Sequence, residues 1–355
     1  MKGPTSMKRL ATAAAGMMLV LALLPGCAGS TPAAATTAAA TTASATPSPE
    51  APVVKTTIRI ASLKGPTTMG LVKLTSDAEA GQGKQDYEAT MYGTPDEVVP
   101  LLMKGDVDVA LLPANLAGVL YNKLKATPDA AIQVAAINTL GMLEVLESGD
   151  TVTTIADLKG KTVYSTGKGA SPEYVLDYLL KENGLDPATD VTVEFKSEAT
   201  EVAAVLASTP GAIGVLPQPY VTVLKTKSPT IRTALTLTDE WAKVTTDSQM
   251  VTGVVVVRRA FAEANPDAFA DFLADYQAST EFTNSSPAEA AALIAEVGIV
   301  PSAPIAEAAI PACNITYIDG AELKTTLGGY LQVLFGADPA SVGGSLPGDD
   351  FYFGS

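Results

Sequence analysis

The amino-acid sequence predicts an α/β protein of two Rossmann-like lobes with a cleft between them. Three observations carry this. Short β-rich runs alternate with helix patterns, which gives a mainly parallel sheet covered on both faces. The alternation starts near Thr57 and starts again near Lys161. The two halves also share residues at a constant spacing of 104 positions, the mark of an internal repeat.

In the first half the β-rich runs are Thr57 to Ser62, Asp86 to Met91, Val107 to Leu112 and Ile132 to Ile137. After the second run, Thr94-Pro95-Asp96-Glu97 reads as a helix start. It supplies a capping hydroxyl, proline at the first helical position and glutamate at the third. The cycle restarts at Lys161-Thr162-Val163-Tyr164. Ser62-Leu63-Lys64-Gly65-Pro66-Thr67 then aligns with Thr166-Gly167-Lys168-Gly169-Ala170-Ser171. At the same 104-residue spacing Glu97-Val98 meets Glu201-Val202, Leu102 meets Leu206, and Leu112-Pro113 meets Leu216-Pro217. Any two parallel α/β units look broadly alike, but a gapless register over this stretch is expected of a duplicated unit. Duplication places equivalent loops opposite each other across a cleft.

The amino terminus has a different character. Met7-Lys8-Arg9-Leu10 is a short basic region, and Ala11 to Leu24 is an apolar stretch of secretory-signal length. It falls short of the about 20 apolar residues that span a bilayer. It ends in Leu24-Pro25-Gly26-Cys27, which resembles the bacterial lipobox. That resemblance implies a signal peptide and lipobox over residues 1–27, with Met7 as a better start than Met1. It also implies lipidation of Cys27 and a protein anchored to the cell membrane on its extracytoplasmic face. Residues 28–54 are almost wholly Ala, Thr, Ser and Pro and cannot build a core, so they read as a disordered tether. A flexible tether of this length has an r.m.s. span of about 25–30 Å. The chain has two cysteines. With Cys27 carrying lipid, Cys313 is left without a partner and is expected to be a small packed residue.

Composition removes several function classes. Net charge is −15 and no basic cluster follows the tether, which disfavours nucleic acid or an anionic membrane surface as partner. Hydrophobic residues at 47% and charged residues at 17% suit a well-buried body. The chain contains no histidine, so Ser-His and Cys-His nucleophile pairs, histidine zinc sites and histidine bases are absent. No paired-carboxylate motif stands out and no Walker-type phosphate loop is present. No catalytic residue, metal or cofactor is expected.

Three segments carry a family resemblance. They are Ile155-Ala156-Asp157-Leu158-Lys159-Gly160-Lys161-Thr162-Val163, Gly169-Ala170-Ser171-Pro172-Glu173-Tyr174 and Val254-Val255-Val256-Val257-Arg258-Arg259. With these, the body from Thr57 onward resembles the periplasmic-binding-protein type II fold. More narrowly it resembles the nitrate/sulfonate/taurine and thiamine-precursor (NMT1/THI5-like) solute-binding proteins. The Asp-Leu-Lys-Gly-Lys run is common throughout that fold and specifies fold better than ligand. The resemblance implies chain crossings near Thr139 to Leu146 and near Met250 to Val257. Lobe 1 would be residues 55–146 plus 252–355, and lobe 2 residues 147–251. It further implies a monomer that delivers a small anionic or heteroaromatic molecule to the permease and ATPase subunits of an ABC importer. Amino-acid-binding relatives hold the carboxylate with an arginine where this chain has Asn115-Leu116-Ala117-Gly118, which disfavours an amino acid. Pyrimidine synthases and a dehydratase resemble the same scaffold, but the synthases' active-site histidine has no counterpart here. A ligand-binding sensor lobe is a third class.

In open α/β sheets ligands lie beyond the carboxyl ends of the strands, where helix N-termini present unpaired N–H groups. Four loops meet that description. The first supplies Ser62, Lys64, Gly65, Pro66, Thr67 and Thr68, and the second Pro113, Ala114 and Asn115. The third supplies Thr166, Gly167, Lys168, Gly169, Ala170 and Ser171, and the fourth Gln218 and Pro219. Lysine, glycine and hydroxyls ahead of a helix suit an anion or an acceptor-rich polar ligand. The competing roles are rim lysines for Lys64 and Lys168 and helix caps for Thr67 and Ser171, with Ser171 as N-cap and Pro172 at the first helical position. Tyr92 is a further binding candidate. Tyr174, Tyr220 and Trp241 stand near predicted loops, as stacking partners or as packing residues.

Overall fold

The structure, a computed structural model, describes residues 54–354. Cys27 and the rest of residues 1–53 lie outside the described residues. Eleven strands form among the described residues. In chain order they are β1 (Thr57–Leu63), β2 (Asp86–Tyr92), β3 (Val109–Pro113), β4 (Ile132–Leu140), β5 (Leu143–Glu147), β6 (Thr162–Ser165), β7 (Thr192–Phe195), β8 (Ile213–Pro217), β9 (Arg232–Thr236), β10 (Val251–Arg258) and β11 (Ile315–Ile318). The helices are α1 (Pro66–Met69), α2 (Val72–Glu79), α3 (Pro95–Lys104), α4 (Ala114–Leu124), α5 (Ser171–Glu182), α6 (Ala199–Ser208), α7 (Tyr220–Lys227), α8 (Leu237–Val244), α9 (Arg259–Ala264), α10 (Pro266–Ser285), α11 (Pro287–Glu296), α12 (Ala303–Ala309) and α13 (Gly320–Ala337).

The strands make two sheets, ordered β11-β4-β10-β3-β1-β2 and β7-β6-β8-β5-β9. In each, three parallel strands (β2-β1-β3 and β7-β6-β8) are followed by an antiparallel one. That fourth strand arrives from the other sheet: β5 directly follows β4, and β10 follows α8. The chain therefore crosses twice, and each crossing strand lies beside the parallel strands of its new sheet.

The repeat is visible in this topology. Helices α3 and α6 lie 104 positions apart along their whole lengths, as do β3 and β8 with the same burial pattern. The register is not gapless, however. Ile60 faces Val109 on the neighbouring strand, and Val163 faces Ile213. Ile60 and Val163 are 103 positions apart whereas Val109 and Ile213 are 104 apart. Sequence alignment missed this one-residue slip because lysine and glycine in the following loops hide it.

The crossings also fall differently from the sequence reading. Residues 143–146, assigned there to lobe 1, pair with β8 and β9 in the second sheet. Val251, assigned to lobe 2, belongs to β10 in the first. The first crossing is thus confined to Gly141-Met142. Apolar residues recur on both sides of Gly141, from Ile132 to Leu140 and from Met142 to Leu146, so the hydrophobic pattern does not mark the break. A β-carbon on Gly141 would overlap Thr238 Oγ1 and Met250 Cε, so close approach of the two crossing segments requires glycine there.

Val254, Val255, Val256 and Val257 are all fully buried, as expected of a strand covered on both faces. Helix α13 buries Leu323, Leu327, Tyr330, Leu331 and Leu334, spaced to form one helical stripe. That stripe joins a hydrophobic core that includes residues of both sheets. Within it the Tyr330 ring lies 5.4 Å from Trp241, which lies 4.9 Å from Tyr178 on α5. Trp241, a stacking candidate in the sequence, is therefore a core residue, 1% exposed.

Candidate functional site

The loop after β3 meets the loop after β6 of the other sheet, and the loop after β2 approaches that after β7. In the first loop Thr68 Oγ1 lies 2.7 Å from Ser62 Oγ and 2.6 Å from the Leu63 carbonyl. Thr67 Oγ1 donates to the same carbonyl at 2.9 Å, so neither hydroxyl caps the helix that follows. Lys64 donates its backbone N–H to the Tyr92 carbonyl at 2.9 Å and extends its side chain into solvent. Tyr92 itself is half-buried against the core. Gly65 adopts φ 146° just before Pro66 begins α1, a backbone that side chains rarely adopt. Helix α1 has only 4 residues, and α10 holds its end: Ser279 Oγ donates to the Gly70 carbonyl at 2.7 Å and Thr283 Oγ1 to that of Met69 at 3.1 Å.

The second and third loops touch across the lobes. Asn115, at the start of α4 and fully buried, donates to the Gly169 carbonyl at 3.4 Å. It also donates to the Ser341 carbonyl at 3.0 Å, and its Oδ1 accepts from Ser171 Oγ at 3.1 Å. Ser171 was expected to cap α5. The cap position is instead Ala170, and the Ser171 hydroxyl is spent on the other lobe. The Tyr330 hydroxyl lies buried beside Ser171. Gly167 and Gly169 take φ 74° and 75°, which lets the loop turn sharply before α5. Half-buried Thr166 accepts from Ser165 Oγ at 3.2 Å through its carbonyl. Exposed Lys168 leans over the Phe195 ring, its ammonium 6.0 Å from the centroid. Pro113 is half-buried and Ala114 buried beneath this contact.

In the fourth loop Gln218 and Pro219 are buried. Gln218 Nε2 donates to Glu144 at 2.8 Å and its Oε1 accepts from Thr222 Oγ1 at 2.8 Å. Its amide is engaged within lobe 2, tying α7 to β5, so sequence reasoning gave it a freedom it lacks.

Electrostatics at the strand ends is set by glutamates. The backbone N–H groups of Gly93 and Thr94 both donate to Glu97 at 3.0 and 2.9 Å, and that of Ser197 donates to Glu201 at 3.0 Å. Glu173 likewise accepts from the Gly169 N–H. The α5 start, one of those expected to offer free donors, is thus approached by the chain's own carboxylate, as are the starts of α3 and α6. Farther along α5, burial and then neighbouring Glu173 push the Asp177 carboxyl up to about 6, with Asp338 adding to the rise and Lys181 opposing it. Lys181 crosses to the end of α13, donating to the Ala337 carbonyl at 3.0 Å.

The sequence reading overlooked the loops after the second strand of each repeat. Gly93 and Glu198 approach there: a β-carbon on Gly93 would sit 3.8 Å from Glu198 Oε1. The signal was available, because the spacing that aligned Glu97 with Glu201 also aligns Thr94 with Glu198. Among the described residues no cluster of histidine, cysteine, aspartate or glutamate suits a metal ion.

Two matching sheets, a double crossing and facing loops at the strand ends define the type II periplasmic binding protein fold, and solved structures share it. An ABC transporter structure from Parabacteroides distasonis has 23% identity, covers 84% of this chain and 99% of its own, and has a TM-score of 0.67. The periplasmic aliphatic sulphonate-binding protein of Escherichia coli has 18% identity, coverage of 83% and 95%, and a TM-score of 0.64. The periplasmic nitrate-binding protein of Synechocystis has 13% identity, coverage of 76% and 74%, and a TM-score of 0.58. No curated protein matches the sequence. The NMT1/THI5-like family model matches residues 86–290, more than half of the chain, and the chain belongs to that family.

Proposed function

We propose that this chain is the solute-binding component of an ABC importer, lipid-anchored through Cys27 on the extracytoplasmic face. It captures a small anionic or heteroaromatic molecule by closure of its lobes and delivers it to a permease driven by separate ATPase subunits. The observation that carries this reading is the juxtaposition of strand-end loops from two separately built sheets. Asn115 bonds to Gly169 and Ser171, and Gly93 approaches Glu198. Two sheets linked by two crossing strands can rotate relative to each other, and a ligand that contacts both selects the closed arrangement. The candidate residues Lys64, Gly65, Thr67, Lys168 and Gly169 lie on these loops. The absence of histidine supports reversible binding rather than turnover.

A thermal-shift panel on the ligand-stripped protein tests this, using sulfonates, nitrate and aminopyrimidines. A true ligand at 100 times its dissociation constant adds about 2.7 kcal/mol to stability. Recovery of the unchanged molecule, detected by mass spectrometry, is expected. A converted product would overturn the transport reading.

A further inference from the structure

We infer that Asn138, Tyr276 and Thr280 hold one buried water molecule between β4 and α10, behind Gly70. That water is a joint that positions α1, and with it the first strand-end loop, against the crossing strands. Such a joint needs no particular solute.

Three polar side-chain atoms meet here: Asn138 Nδ2, Tyr276 Oη and Thr280 Oγ1. All are buried, and none has a hydrogen-bond partner among the described residues. Their residues are 0%, 0% and 2% exposed. Burial pushes the Tyr276 phenol up, and the adjacent Asn138 and Thr280 side chains partly offset that rise. Both hydroxyls face Gly70, where the place a β-carbon would take lies 3.3 Å from each oxygen. Gly70 has ordinary helical backbone, with φ −70°, so crowding rather than conformation accounts for a glycine there.

None of the three finds relief locally. The Tyr276 ring is stacked on Phe272, centroids 5.8 Å apart, and lies edge-on to Tyr317 at 6.2 Å, which fixes its hydroxyl. Asn138 Oδ1 accepts from Thr139 Oγ1 at 3.1 Å, and a β-carbon on Gly253 of β10 would overlap it. With that end of the amide committed to β4 and β10, Nδ2 is left to α10. Helical threonines commonly bond the carbonyl four residues back, as Thr283 does with Ser279 at 2.9 Å. Thr280 does not. Three orphaned polar atoms in one place would cost the fold heavily. A single water satisfies them all, accepting from the Asn138 amide and serving both hydroxyls. About three partners is the usual number for a buried water.

Its position gives the water a role. Asn138 stands three residues before Gly141, where the chain crosses to the other lobe. Ser279 Oγ, next to Thr280 on α10, donates to the Gly70 carbonyl at 2.7 Å and accepts from the Leu74 N–H at 3.1 Å. Gly70 closes α1, whose first residue follows Gly65. The first loop, α10 and the crossing strand thus meet at one polar point.

A crystal structure of the full-length protein that orders solvent tests the site. One water within about 2.7–3.2 Å of all three atoms is expected. Direct bonds among the three side chains with no water between them would overturn the inference. Amide hydrogen exchange tests the role. Thr280→Val and Tyr276→Phe keep the shape and remove one hydroxyl each. Each should speed exchange in residues 66–71 about fivefold beyond any change in the slowest core amides, as for loss of one hydrogen bond. Thr280→Ser, which keeps the hydroxyl, should exchange at nearly the wild-type rate. Exchange in residues 66–71 that stays at the wild-type rate, or moves only in step with the core, would overturn the positioning role. Neither readout uses a solute, so failure here leaves the solute-binding reading in place, and failure of the thermal-shift panel leaves this site in place.

Discussion

Asn115 offers the sharpest structural perturbation, because one fully buried side chain joins α4, the third loop of the other lobe and the segment after α13. Asn115→Ala removes its bonds to Gly169, Ser341 and Ser171. Ser341 and Ser171 are themselves buried at 0% and 2% exposure, so their polar groups lose a partner without gaining water. Each such orphan costs about 1–3 kcal/mol. Gly169 is exposed and water replaces its partner. The variant should therefore lose about 2–6 kcal/mol of stability. Ser171→Ala removes only the cross-lobe bond and should cost about 1 kcal/mol. Urea denaturation of both single variants and the double variant closes the cycle. A coupling energy of at least about 0.5 kcal/mol is expected for residues in contact. A loss below about 0.5 kcal/mol in Asn115→Ala, the range of an ordinary surface substitution, would refute the assignment of Asn115 as an interlobe joint.

Asp177 makes stability depend on acidity. Its carboxyl is raised to about 6 in the folded chain, above its unfolded value of about 3.9, so the folded state prefers the proton. The contribution of Asp177 to stability is full below about pH 4 and is lost as pH rises through about 6. Asp177→Asn should remove that slope and raise stability at neutral pH by about 1 kcal/mol, discounted for partial exposure; an unchanged melting profile between acid and neutral pH would contradict this. Gly141→Ala should cost about 1–3 kcal/mol by overpacking the crossing against Thr238 and Met250 and should weaken ligand binding, both read by denaturation and titration. Wild-type stability in that variant would mean that the crossing yields easily. Cys27→Ser should move the protein from the membrane fraction to the soluble one with its fold intact, and retention through a carbonate wash would count against lipidation there.

Much of the architecture was legible because it repeats. The hydrophobic runs, the Thr94 and Glu97 cap and the pairing of Leu112-Pro113 with Leu216-Pro217 are local patterns, and each corresponds to an element of the fold. The limits of β4 and β5 were not legible, since similar mixtures of apolar and polar residues lie on both sides of Gly141. Ser171 was misread because a serine before a proline is a strong local cap signal. The actual partner, Asn115, stands 56 positions earlier and approaches only in three dimensions. Gln218 was misjudged for the same reason: Glu144 lies on a strand that arrives from the other lobe. Glu198 was overlooked although the repeat marked it, since a glutamate at a helix start reads as favourable to the dipole until its direction is known.

Hydrogen–deuterium exchange of the full-length protein with and without its thermal-shift ligand tests the central claim most directly. Binding between the lobes should slow exchange together in residues 64–68, 92–94, 113–115, 166–171 and 196–198, from both sheets at once. Protection confined to one lobe, or lying at the opposite ends of the strands, would contradict closure of two lobes on a shared ligand.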